Sequence, residues 1–121
     1  MATFEINGKE YELKLTYQSI KRLNNAFDGG SYEVIGKAIA GDFEAFPIIV
    51  HAGLLHTGEN FSQKAVEKEI EALIDGEKLS MEDVAKTCDE VVTKSFFYAA
   101  TVKKMMDANP DMKKAIEQLR G

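Results

Sequence analysis

The sequence contains no tryptophan, only one cysteine and two prolines, and no apolar run close to the length of a membrane span. A span needs roughly 20 consecutive apolar residues. A single cysteine cannot form an internal disulfide, which fits a reducing compartment. The first residues also lack the basic stretch followed by an apolar stretch that marks a secretory signal. We therefore expect a soluble, cytoplasmic protein without a membrane partner.

An excess of basic charge is also absent, since 15 Lys and Arg stand against 20 Asp and Glu for a net charge of −5. Nucleic-acid binding needs a cationic surface that displaces phosphate counterions, so we expect no nucleic-acid partner. The 121 residues, of which 45% are hydrophobic, are enough to bury a core. These totals predict one domain over residues 1–121.

Residues 3–15 (TFEINGKEYELKL) carry the only strong β-strand pattern. Asn7 and Gly8 separate two alternating runs, and both tolerate the positive φ of a tight hairpin turn. The large apolar residues of the hairpin all fall on one face: Phe4, Ile6, Tyr11, Leu13 and Leu15. On the other face, Glu5 is expected to oppose another glutamate.

An isolated two-stranded hairpin is marginal in water and leaves two unpaired edges. A helical body can cover the apolar face, but we expect it to leave the edges open. Strand pairing between neighbouring subunits would satisfy them. The candidate self-association residues lie on the polar face: Thr3, Glu5, Glu12 and Lys14.

The rest of the chain is predicted to be helical, with N-caps at Thr16, Ser31, Ser62 and Ser80. The helical body covers residues 16–107, and a C-terminal helix covers residues 111–119. The stretch from about Phe46 to His56 is apolar nearly all round, so it is predicted to be the central buried helix. The fold class is mainly α (α+β), with an N-terminal two-stranded β-hairpin followed by a bundle of five to six helices. Its penultimate helix is predicted to run unbroken from Ser80 to about Asp107.

On a helical wheel, this long helix has one apolar stripe that includes Phe96, while Phe97 falls on the opposite side. One packed face cannot bury all three consecutive aromatic residues. Met and aromatic side chains suit adaptable binding surfaces. The candidate partner-binding residues are therefore Phe97, Tyr98, Met105 and Met112. The alternative is that the last helix folds back and covers them.

No set of residues predicts catalysis, a metal site or a cofactor. His51 and His56 are five residues apart, whereas ligation from one helix face favours a separation of four, and no local ligands complete a site. Cys88 lies in the apolar stripe and is interpreted as a buried structural thiol. Two acidic pairs are predicted on solvent faces of helices: Glu67 with Glu71, and Asp89 with Glu90. We expect the protein not to be an enzyme.

Three segments together resemble the tail assembly chaperones of long-tailed bacteriophages: INGKEYELKLTYQSIKRLN, AGLLHTGENFSQKAVEKEIEAL and SFFYAATVKKM. The resemblance covers nearly the whole chain. It implies a non-catalytic phage or prophage protein that binds the tape measure protein, keeps it soluble and is absent from the mature virion. It also implies a possible homo-oligomer, and recruitment of the tail tube protein through a longer, frameshifted form. This chain would correspond to the short form, acting in the host bacterial cytoplasm.

Two alternatives remain open at this stage. One is another structural phage component, such as a head–tail joining protein, which would be found in purified virions. The other is a small adaptor or regulatory module, for which a helix-turn-helix would need a basic recognition helix.

Overall fold

The computed structural model describes all residues from Met1 to Gly121. An antiparallel hairpin precedes seven α-helices: β1 (Thr3–Ile6), β2 (Lys9–Glu12), α1 (Tyr17–Ala26), α2 (Gly30–Ala40), α3 (Phe46–Leu54), α4 (Gln63–Asp75), α5 (Met81–Cys88), α6 (Phe96–Ala108) and α7 (Pro110–Arg120). A 3₁₀ turn at Leu55–Thr57 follows α3, and a π-helical turn at Asp89–Thr93 follows α5. The predicted mainly α fold with an N-terminal hairpin is confirmed.

The hairpin turn has the predicted geometry. Asn7 and Gly8 have φ angles of 55° and 79°, the pattern of a type I′ turn whose twist matches that of the strands. Glu5 lies opposite Glu10, so the expected pairing of two glutamates is confirmed. The main-chain N–H of Leu13 donates to the carbonyl of Ala2 at 2.9 Å, which extends the ladder beyond β2.

Close backbone contact fixes the hairpin to the central helix. A Cβ atom added at Gly53 of α3 would lie only 3.1 Å from the Cβ of Leu13. The carbonyl of Gly53 also accepts a 3.0 Å hydrogen bond from the N–H of Lys14. Glycine therefore lets the chain after β2 approach α3 closely enough for main-chain bonding.

The buried apolar side chains form one cluster that draws on the hairpin and on α1 to α6. Helix α3 contributes the largest share, as predicted for the central helix: Phe46, Ile49, Val50, Ala52 and Leu54. The terminal helix α7 lies beside α5 and α6, and its buried side chain is Ile116.

Three predicted N-caps are confirmed, because each side chain accepts a hydrogen bond from an N–H three residues on: Thr16, Ser62 and Ser80. The predicted cap at Ser31 is wrong. Helix α2 begins at Gly30, and its N-cap is Gly29, two residues before Ser31. The Ser31 hydroxyl instead donates to the side-chain oxygen of Asn24 at 3.0 Å, which ties α2 to α1.

The predicted unbroken penultimate helix is also wrong. Helix α5 ends at Cys88, the π turn follows, and Ser95 adopts extended angles before α6 begins at Phe96. Two hydroxyls compete for main-chain carbonyls here: Thr93 donates to the carbonyl of Asp89, and Ser95 donates to that of Val92. Such local hydrogen bonds offer the backbone an alternative to regular helix. This break raises the helix count to seven.

Candidate partner-binding surface

The break before α6 determines which aromatic residues reach the surface. The exposed fraction is 100% for Phe96, 58% for Phe97 and 1% for Tyr98. The sequence predicts Phe96 in the buried stripe and Tyr98, on the flank of that stripe, as a partner-binding candidate; the structure instead exposes Phe96 and buries Tyr98. The π turn and the extended Ser95 interrupt the constant rotation per residue that a helical wheel assumes, so the wheel does not hold across this break.

Phe96 and Phe97 line a groove together with residues of α1. Tyr17, the first residue of α1, is 78% exposed and lies on the other side of this groove. We call Tyr17, Phe96 and Phe97, with the half-buried Leu15 and Ile20 between them, the aromatic surface. The groove encloses about 610 Å³, and Lys21 is its only charged lining residue. Tyr17 was not predicted, although its spacing of three residues from Ile20 could have indicated it.

Tyr98 holds the start of α6 against α1. Its hydroxyl donates to the side-chain oxygen of Asn24 at 3.2 Å, and burial raises the pKa of the phenol. The ring of Phe97 meets the ring of Tyr98 edge to face, with centroids 5.0 Å apart. The aromatic surface therefore lies on a helix that is already held in place. Less conformational entropy is lost when such a surface binds another molecule.

The two methionines lie elsewhere. Met105 is half-buried against the core, and Met112 is half-buried on α7. Neither lines the groove that contains Phe96 and Phe97. Helix α7 does fold back beside α6, but it leaves Phe97 exposed, so the alternative that it covers all four candidates is wrong for Phe97.

The polar face of the hairpin is open to solvent, and its four candidate residues are all exposed: Thr3, Glu5, Glu12 and Lys14. Its two edges differ. The helical body does satisfy groups of the β2 edge, contrary to expectation: His56 Nε2 bonds the carbonyl of Glu12 at 2.7 Å, and Lys14 donates to Gly53.

The β1 edge is free. Since Ala2 and Leu13 form a hydrogen-bonded pair, the antiparallel alternation turns the N–H and C=O groups of Thr3 and Glu5 away from β2. No protein group bonds these outward groups. The expectation of an unpaired edge therefore holds for the whole of β1, whereas the β2 edge is satisfied at Glu12 and open at Glu10.

The two histidines bond to the main chain. The Nδ1 atom of His51 accepts from Arg22 Nε at 3.3 Å, so its Nε2 carries the proton and donates to the carbonyl of Phe61 at 2.8 Å. His56 bonds β2. No group of three or more His, Cys, Asp or Glu side chains is placed to hold a metal ion.

Cys88 is fully buried, as predicted, and burial raises the pKa of its thiol to about 12. Asp89 is not on a solvent face. It is 6% exposed and forms an ion pair with Arg120. Helix α7 covers this side of the chain, because it packs beside α5 and Arg120 at its end bonds the Asp89 carboxylate.

A mainly helical body with a free strand edge and an anchored, exposed aromatic surface is the arrangement of a protein that binds other proteins. The family model described as phage tail assembly chaperone protein, TAC, matches residues 3–107, and the chain belongs to this family. No curated protein and no solved structure matches significantly. None of the helices combines the length and the apolar character needed to cross a membrane.

Proposed function

We propose that this protein binds the phage tape measure protein during tail assembly and keeps it soluble, with the aromatic surface as the contact. The family assignment supports a role in tail assembly. The observation that carries the proposed contact is the full exposure of Phe96 on a helix that Tyr98 anchors. A groove flanked by aromatic rings suits the apolar stripe of a helical client.

Repeated weak contacts would allow a small groove to bind a long tape measure protein. Several copies bound along one tape measure protein raise one another's effective concentration, so no single site needs high affinity. Pairing of the free β1 edges of neighbouring copies would add to this effect. We further propose that the protein acts non-catalytically in the host cytoplasm, and that a longer form recruits the tail tube protein.

Co-expression with the tape measure protein of the same phage tests the proposal. The wild-type protein should keep the client in the soluble fraction and co-purify with it. Phe96→Asp should leave the client insoluble, because a charge in the groove opposes apolar contact. Tyr32→Asp is the matched control, since Tyr32 is 70% exposed in the first turn of α2 and lies outside the groove.

Two results would contradict the proposal. One is a client that remains insoluble with the wild-type protein, and the other is equal activity of the two variants. Purified virions distinguish the head–tail joining alternative, since a joining protein would be present in them in stoichiometric amount.

A further inference from the structure

A second groove lies between α3 and α4. It encloses about 570 Å³ and shares no lining residue with the aromatic surface. Its apolar floor includes Phe43, Ile48, Ile70 and Ile74. Phe43 and Ile74 also line an adjoining hollow of about 250 Å³ that reaches α5. We call these two connected hollows the acidic groove, for the reason given below.

Three large apolar side chains are exposed in the acidic groove. Phe43 is 49% exposed, Ile74 is 40% exposed, and Met81 in the adjoining hollow is 86% exposed. The sequence pattern of α4 had placed Ile74 on its apolar side, yet no element covers it. Clustered apolar exposure of this kind marks surfaces that contact a partner.

Four carboxylates border the groove: Glu44, Glu67, Glu71 and Asp75. No lysine or arginine lines it, and none of the four forms an ion pair. Three of them are spaced four residues apart along α4, so they form one negative row beside the apolar row. Like charges at this spacing repel and destabilise a helix. A partner with positive charges would remove that repulsion.

We propose that the acidic groove binds an amphipathic helix of a partner protein that carries Lys or Arg along the border of its apolar stripe. The apolar stripe lies on Phe43 and Ile74, and the cationic border faces the row of Glu67, Glu71 and Asp75. Helix-in-groove recognition uses this arrangement of anchors one turn apart. The inference goes beyond the tape measure contact, because it rests on different residues and on charge.

A designed peptide tests the proposal. The probe is a labelled helix of about 18 residues with leucines on one face and lysines on the other, long enough to be helical in isolation. A companion peptide has glutamates in place of the lysines. By fluorescence anisotropy, the full protein should bind the lysine peptide more tightly than the glutamate peptide, and the preference should fall as salt rises.

Two double variants that remove the same net charge test whether the lysine peptide binds in the acidic groove. Glu67→Gln with Glu71→Gln should weaken lysine-peptide binding about ten-fold at low salt. Glu59→Gln with Glu117→Gln removes the same net charge from exposed positions outside the groove, and should change affinity by less than about two-fold. Equal effects of the two pairs would mean nonspecific attraction to an acidic protein and would overturn the proposal.

Phe43→Ala and Phe96→Ala separate this groove from the aromatic surface. Binding should depend on Phe43 and not on Phe96, and the reverse result would overturn the inference. Loss of self-association in the Glu67→Gln, Glu71→Gln variant would identify a second copy as the occupant and would also overturn it. None of these outcomes depends on the tape measure protein, so this proposal can fail while the proposed function stands.

Discussion

Arg120, at the end of α7, donates two hydrogen bonds of 2.9 and 3.0 Å to the carboxylate of Asp89 in the π turn. The Thr93 hydroxyl shares its one proton between this carboxylate and the main-chain carbonyl of Asp89. Burial alone would raise the pKa of Asp89, but these hydrogen bonds and the Arg120 charge outweigh it, so the pKa lies below its ordinary value. The pair holds the last helix against the turn that orients α6.

Arg120→Gln should lower the free energy of unfolding by about 2 kcal/mol at pH 7, because it leaves a buried carboxylate without its charged partner. Urea denaturation measures this loss. Lys113→Gln is the control, since it removes one exposed charge from the same helix, and it should change stability by less than about 0.5 kcal/mol.

The same pair predicts a pH dependence. Since the folded pKa of Asp89 is depressed, its stabilising contribution is complete above the ordinary aspartate pKa and is lost as pH falls through the folded value. The stability difference between the wild type and Arg120→Gln should therefore shrink below about pH 4. A difference that stays constant down to pH 2 would contradict the assignment of the effect to Asp89.

Local features of this fold were predictable from sequence. The Asn7-Gly8 turn, the serine and threonine caps, and the buried α3 all follow from patterns within a few residues. The prediction failed at the π turn, where Asp89 is held by Arg120 from 31 residues away. A helical wheel assumes a constant rotation per residue, so it represents neither the π turn nor the distant residue that covers Asp89.

The candidate surface was predictable only in part, for the same reason. The helical wheel predicts Phe97 opposite the apolar stripe, and its side chain is exposed as predicted. The predictions for Phe96 and Tyr98 are wrong, because both residues lie at the start of α6, just after the break that the wheel does not represent. Tyr98 also needs Asn24 of α1 as its hydrogen-bond partner, and no spacing in the sequence identifies that pair.

Gly53→Ala should be less stable than Gly36→Ala by about 2 kcal/mol. Both substitutions replace a helical glycine by alanine, which favours the helix, so a loss of stability at Gly53 reports its packing. A Cβ at Gly53 meets Leu13, whereas a Cβ at Gly36 meets no atom within 4 Å. Thermal denaturation should show Gly36→Ala above the wild type and Gly53→Ala below it. Equal melting temperatures would mean that the hairpin does not rest on α3 as described.

Glu5→Pro should abolish self-association if copies pair through β1, while Glu10→Pro should not. Both residues face each other in a non-hydrogen-bonded pair, so proline removes an outward N–H in each case and leaves the hairpin ladder intact. Only Glu5 lies on the β1 edge. Sedimentation equilibrium measures the association constant, and circular dichroism checks that both variants fold. Equal association of the two variants would exclude pairing through the β1 edge.

The Cys88 thiol should resist alkylation in the native protein at pH 8. Burial raises its pKa to about 12, so only on the order of one thiol in ten thousand is ionised at that pH, and the reagent also needs the core to open. Labelling should therefore follow local or global unfolding, and Arg120→Gln should accelerate it, because loss of the ion pair loosens the turn beside Cys88. Rapid labelling of the wild type in native buffer would show that the region between α5 and α6 opens without unfolding.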